Sequence, residues 1–160
     1  MGAGGALGSA LTTGLFKVVF LTGAAFLATT FFLTTGAGAG RARGRAQRAR
    51  PAQIRQLRQL VERERQHHES GERCAAIRLG GEFHLKLAQV AANAPLARFL
   101  NGLVPMTSLI IARYESPCCD HCAWEEHAAI IDAVEAGDAA AALALMHEHL
   151  DRLQDKLDLG

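Results

Sequence analysis

The stretch EEHAAIIDAVEAGDAAAALALMHEHL, residues 125–150, indicates two amphipathic helices joined by a tight turn. Its apolar residues recur with a helical period of about 3.6 and do not alternate as in a strand. Gly137 is expected to end the first helix and Asp138 to cap the second. The sequence therefore predicts a helical hairpin, with helices at about residues 123–136 and 138–158.

This hairpin is expected to bring two histidines to the same level. His127 lies ten residues before Gly137, and His149 lies eleven residues after Asp138. At a rise of about 1.5 Å per residue, both imidazoles are roughly 15 Å from the turn. Each lies on the apolar stripe of its helix, and His84 does so on a preceding helix. Three buried imidazoles that point to one centre would suit a divalent metal ion, and independent hydrogen-bonded core histidines are the alternative.

The same periodicity continues upstream and predicts three further helices. The first opens at Pro51, the second runs from about Arg73 to Ala92, and the third starts near Pro95. Pro105 falls inside the third helix, where a kink or a break is expected. Five helices with short connections predict an all-α fold, an antiparallel helical bundle.

The N-terminal part of the chain differs in composition from the helical body. Residues 15–35 are apolar and about long enough to cross a bilayer as a helix, and the Arg-rich residues 41–50 would then lie on the cytoplasmic side. Lys17 within the apolar run instead favours a poorly ordered, low-complexity extension. The predicted organisation is an apolar leader at 1–40, an Arg-rich linker at 41–50 and a helical domain at 51–160.

Charge is unevenly distributed along the 160 residues, although the net charge is only +1. Residues 41–65 hold nine Arg against two Glu, whereas residues 66–160 hold seven Lys or Arg against fourteen Asp or Glu. No aromatic residue interleaves the Arg run. A solvated linker is therefore favoured over a contact with nucleic acid or lipid phosphate.

The stretch GEFHLKLAQVAANAPLARFLNGLV, residues 81–104, followed by the hairpin, resembles the ligand-binding C-terminal domain, of the FCD type, of GntR-family bacterial transcription regulators. The resemblance covers about residues 50–158. It implies an all-α antiparallel bundle that forms a homodimer in the cytoplasm. It also implies a central cavity that holds a divalent metal and a small carboxylate effector.

The family's metal ligands, an Asp and three His, fall here on Gly80, His84, His127 and His149. Glycine offers no ligand, so the resemblance leaves three imidazoles plus water or an effector oxygen. Such a set suits Zn²⁺ with an open position, and Ni²⁺ and Mn²⁺ are the other candidates. Glu82 is not a simple substitute, because two positions before His84 on a helix it points to a different face.

The resemblance does not extend to the family's winged-helix DNA-binding domain. Nothing in residues 1–50 has a helix-turn-helix pattern. We therefore expect a regulator truncated of its DNA-binding domain, and DNA binding is implied only through a domain not evident in this chain. The other interpretation is that the ligand-binding domain has been put to a different use.

Two further groups are candidates for function. Cys118, Cys119 and Cys122 form the compact loop CCDHC, for which free thiols in a reducing cytosol are favoured over a metal or redox site. Arg113 and Tyr114 follow an apolar run. They are candidates for contacting the effector, since Arg suits a carboxylate, and a surface position is the alternative.

The sequence thus predicts a metal-assisted sensor and dimerisation domain of a transcription regulator and not an enzyme. One alternative is a membrane-tethered helical binding protein that depends on residues 15–35. The other is a histidine–metal hydrolase in which Glu126, beside His127, acts as general base. No nucleophile motif, Gly-rich phosphate loop or carboxylate dyad supports the hydrolase.

Overall fold

Helices make up nearly all of the chain that the structure, a computed structural model, describes: residues 49–114 and 122–156. Five α-helices follow one another there, namely α1 (Pro51–Glu69), α2 (Arg73–Val90), α3 (Ala94–Tyr114), α4 (Ala123–Ala136) and α5 (Ala139–Lys156). No strand occurs within these ranges. The predicted all-α bundle is confirmed. The leader, residues 41–48 of the Arg-rich stretch, Cys118 and Cys119 lie outside the described residues.

The helix ends are set by residues that favour helix starts and stops and that can be recognised in the sequence. Pro51 occupies the first turn of α1, where the missing N–H costs no hydrogen bond. Gly137 ends α4 in the left-handed conformation, with φ of 75°. Asp138 Oδ1 accepts a hydrogen bond of 2.9 Å from the backbone N–H of Ala141 at the start of α5. The turn between α4 and α5 is therefore the one predicted.

Helix α3 runs without a break through Pro105. Proline has no N–H, so the carbonyl of Asn101 loses its helical donor. Both Asn101 and Pro105 are exposed, and water can reach that carbonyl. Of the kink or break predicted at Pro105, the break does not occur, because the lost hydrogen bond lies on the solvent side of the helix.

The main core lies where α1, α2, α4 and α5 meet. It contains Ile54, Leu57, Val61, Phe83, Leu87, Val90, Ile130, Ile131, Val134, Met146 and Leu150. A smaller apolar cluster joins α2 to α3 and contains Ala88, Leu96, Leu100 and Val104. Burial of these side chains is the main force that holds the bundle together.

Helix α3 is attached to α2 by two specific features. At Gly81 the backbone of α2 lies so close to side chains of α3 that a Cβ there would be 2.6 Å from Val104 Cγ1 and 3.1 Å from Ser108 Oγ. The Arg73 guanidinium, at the start of α2, donates hydrogen bonds of 2.7 and 2.9 Å to the carbonyls of Ala112 and Ile111. It therefore satisfies carbonyls in the last turn of α3.

The outer face of α3 is apolar and open to solvent. Its exposed large residues are Phe99, Met106, Leu109 and Tyr114. Among the described residues, α3 is the one helix long and apolar enough to cross a membrane, and only 22% of its most apolar stretch is buried. A single such helix is weak evidence for a membrane span, because helices of soluble proteins meet the same criterion.

The glycine at the α2–α3 contact gives a test of this packing. Gly81→Ala should lower the free energy of unfolding by about 1–3 kcal/mol, because the added methyl overlaps Val104. The control is Gly102→Ala, where a Cβ meets nothing within 4 Å; there alanine should stabilise the helix by up to about 1 kcal/mol. Urea denaturation measures both. Equal effects of the two substitutions would contradict the close approach at Gly81.

Candidate metal centre

Three helices converge on one cluster of histidines, which we call the histidine centre: His84 of α2, His127 of α4 and His149 of α5. All three are buried, and each offers a ligand atom within 4.8 Å of the other two. The ring centroids of His127 and His149 are 4.7 Å apart, and that of His84 is 5.2 Å from both. The hairpin therefore brings its two histidines to one level, next to His84.

His127 is the most enclosed member of the histidine centre, with 1% of its surface exposed. Its ring stacks on Phe83, with centroids 4.2 Å apart. Its Nδ1 is 2.8 Å from Glu64 Oε2 of α1, and because an ionised carboxylate only accepts, Nδ1 is the donor. Its Nε2 is buried without a hydrogen-bond partner among the described residues. An imidazole nitrogen left in that state is costly, and a metal ion would satisfy it.

His149 is held in the same way by a second carboxylate. Its Nδ1 is 2.6 Å from Glu126 Oε2, whose other oxygen accepts a 2.9 Å hydrogen bond from Arg152. The Nε2 of His149 lies 3.3 Å from the Nε2 of His84. A metal-binding histidine commonly has a carboxylate as its second partner, which accepts a hydrogen bond from the ring N–H that does not face the metal. The residues present therefore fit a divalent metal ion.

Electrostatics favour neutral imidazoles, which are the forms that bind metal. Burial holds the pKa of His84 well below its ordinary value, and the neighbouring His127 and His149 lower it further. The pKa of His149 is also lowered, mainly by burial, although its hydrogen bond to Glu126 opposes the shift. His84 and His149 are thus favoured in the neutral form that can bind a metal ion.

Gly80 lies against a carboxylate, but that carboxylate comes from another helix. A Cβ at Gly80 would be 3.0 Å from Glu64 Oε1 and 3.4 Å from His127 Cε1. Glu64 is 3% exposed. Glu64 is not among the predicted site residues, although it continues the apolar stripe of α1 three residues after Val61, where a charged side chain is unusual.

A comparison with protein families agrees with the all-α fold. The FCD domain matches residues 40–152, more than half of the chain. The chain belongs to the FCD family. FCD domains are the C-terminal effector-binding domains of GntR regulators, as the resemblance of the sequence predicted. No curated protein matches the chain.

The other candidate residues of this FCD domain lie apart from the histidine centre or form other contacts. Arg113 and Tyr114 are exposed at the end of α3, where the guanidinium lies 5.3 Å from the ring centroid. This agrees with the surface position that the sequence left open, and effector contact by these residues stays a prediction. The Sγ atom of Cys122 lies 3.2 Å from His68 Nε2. Cys118 and Cys119 are outside the described residues.

Two acidic residues weighed in the sequence analysis have partners of their own in the FCD fold. Glu126, the general base of the hydrolase alternative, bridges His149 and Arg152, so its carboxylate orients a histidine of the site. Glu82 pairs with Arg78, one turn earlier on α2, and lies on a different face from His84, as expected.

The lowered pKa values predict how the metal-free domain responds to acid. As pH falls below about 6.5, the unfolded chain takes up protons that the folded His84 and His149 do not, so the free energy of unfolding decreases. Neighbouring carboxylates of Glu64 and Glu126 reduce this effect without abolishing it. The measurement is thermal unfolding of metal-free protein between about pH 7.5 and about pH 5.5. His84→Gln should flatten the dependence, whereas His68→Gln, at an exposed position, should leave it unchanged; equal slopes in both variants would contradict the assignment.

Proposed function

We propose that this FCD domain senses a small carboxylate effector with the help of a divalent metal held by His84, His127 and His149. Effector binding by a regulatory domain follows from the family. The observation that carries the metal is the histidine centre itself, with three buried ligand atoms within 4.8 Å of one another. The unpartnered Nε2 of His127 supports the same conclusion.

Zinc is the metal that this set of donors favours. Three neutral nitrogens with one open position are typical of Zn²⁺, and Ni²⁺ and Mn²⁺ are the other metals to test. The bound ion would supply a positive charge for the carboxylate of the effector. The chain's own task is to orient the imidazoles, and Glu64 and Glu126 do this for His127 and His149 by accepting hydrogen bonds from the Nδ1 atoms.

A sensor is favoured over the hydrolase because the site has no free general base among the residues considered for that role. Glu126 is engaged by His149 and Arg152. FCD domains belong to regulatory proteins. We therefore propose that effector occupancy changes the conformation of the domain and that no reaction is catalysed.

We further propose that the domain acts as a homodimer in the cytoplasm, as GntR regulators do. The exposed apolar face of α3, with Phe99, Met106 and Leu109, supports contact with a second copy of this chain. DNA would be reached through a domain not evident in this sequence. In the alternative, residues 15–35 tether the helical domain to a membrane. These residues lie outside the described part of the chain, as do the rest of the proposed leader at 1–40 and all but two residues of the proposed linker at 41–50, whereas the proposed domain at 51–160 is described except at 115–121 and 157–160.

Metal content and affinity test the histidine centre. The purified protein should bind one Zn²⁺ per chain, and His127→Ala should raise the Kd by more than about 100-fold, because losing a ligand exceeds the 10–100-fold typical of an outer contact. Competition with a chromophoric chelator gives the Kd. His68→Ala, which alters an exposed histidine, should bind zinc as the wild type does. A wild-type protein that binds no divalent metal would refute the proposed site.

The role of the metal in effector binding has a separate test. Small mono- and dicarboxylic acids should raise the melting temperature of the zinc-loaded protein, because a ligand of the folded state stabilises it by RT ln(1 + [L]/Kd). The same acids should have little effect on metal-free protein or on zinc-treated His127→Ala. Equal shifts with and without zinc would mean that the metal takes no part in recognition.

A further inference from the structure

Glu64 is a buried carboxylate on a helix that contributes no histidine to the centre. It is 3% exposed. Burial of a carboxylate costs several kcal/mol unless its oxygens are hydrogen-bonded or paired, so its position on the core face of α1 calls for a role. One of its oxygens is 2.8 Å from His127 Nδ1.

This contact determines which nitrogen of His127 faces the centre. Because the carboxylate accepts a hydrogen bond from the Nδ1–H, the proton of the neutral imidazole stays on Nδ1 and Nε2 carries the free lone pair. That atom is buried, has no hydrogen-bond partner among the described residues and lies in the histidine centre. The tautomer that Glu64 imposes is therefore unfavourable for hydrogen bonding and favourable for binding a metal ion.

The second oxygen of Glu64 occupies space that Gly80 leaves open. Gly80 lies one helical turn before His84, on the same face of α2. A Cβ there would approach Glu64 Oε1 to 3.0 Å and His127 Cε1 to 3.4 Å, closer than most side-chain contacts. The carboxylate of α1 and the glycine of α2 are therefore complementary in shape.

We propose that Glu64 is a positioning residue of the metal centre and that Gly80 lacks a side chain in order to admit it. This inference rests on the proposed function, since it assumes a metal at the histidines. The acidic group acts on the ion through His127 and is not itself a ligand. The ligands from the chain are then three neutral imidazoles, and the charge of a divalent ion remains available to an anionic effector.

The first test measures zinc affinity and the tautomer together. Glu64→Gln keeps the size of the side chain but removes its charge, and it should raise the zinc Kd about 10–100-fold. In the metal-free protein, the ¹⁵N chemical shifts of His127 should show a smaller fraction protonated at Nδ1. The control is Glu62→Gln, an exposed glutamate of the same helix, which should change neither quantity.

The outcomes separate this inference from the proposed function. A wild-type protein that binds no zinc overturns both. Zinc binding by the wild type, with an unchanged Kd and unchanged ¹⁵N shifts in folded Glu64→Gln, overturns the role of Glu64 alone. A loss of thermal stability without a change in Kd would likewise assign Glu64 a purely structural role.

The second test addresses the complementarity of Glu64 and Gly80 and needs no metal. Gly80→Ala should lower the melting temperature of the wild type, because the methyl group meets the carboxylate. In the Glu64→Ala background, the same substitution should cause a clearly smaller decrease, since the opposing side chain is gone. Equal decreases in the two backgrounds would overturn the pairing.

Discussion

The buried hydrogen bond between Glu64 and His127 is the contact on which the centre of the molecule depends. It joins α1 to α4 at a point where neither side chain reaches solvent. His127 in turn stacks on Phe83 of α2, so three helices are fixed relative to one another around a single imidazole. Apolar burial supplies most of the stabilisation of such a bundle, but it does not select one arrangement of the helices. The polar contact does, because a buried carboxylate and a buried imidazole tolerate little displacement.

The buried histidines lower the free energy of unfolding of the metal-free protein. A core composed only of apolar side chains would avoid the lowered pKa of His84 and the unpartnered Nε2 of His127. Both features are unfavourable in a metal-free protein, and both become favourable when a cation occupies the centre. Binding energy would then appear as folding stability, so a metal ion and an effector bound to it can bias the domain towards one conformation. Regulatory proteins need such a link between ligand and conformation.

Much of this molecule could be predicted from local sequence. Helix periodicity and the Gly137–Asp138 turn depend on neighbouring residues, and together they suffice to place His127 and His149 at one level. The apolar stripe of α1 marks Glu64 as unusual, but local sequence does not give its partner, because His127 is distant along the chain and the contact depends on how α1 packs against α4. Whether α3 breaks at Pro105 also could not be decided from local sequence, since it depends on which side of that helix meets water. Local sequence therefore predicts the helices and the common level of His127 and His149. The pairing of buried polar groups can be seen only in the tertiary structure.

Two adjacent glycines in α2 give this helix contacts on two sides. The open side of Gly80 faces Glu64 and His127 of the histidine centre, and that of Gly81 faces Val104 and Ser108 of α3. Helix α2 also carries His84, and Arg73 at its start binds carbonyls near the end of α3. Because packed helices shift as rigid units and not as flexible chains, a movement of His84 on ligand binding would be transmitted along α2 to α3. In the proposed function, α2 is thus the element that connects occupancy of the metal centre with the exposed face through which two copies would meet.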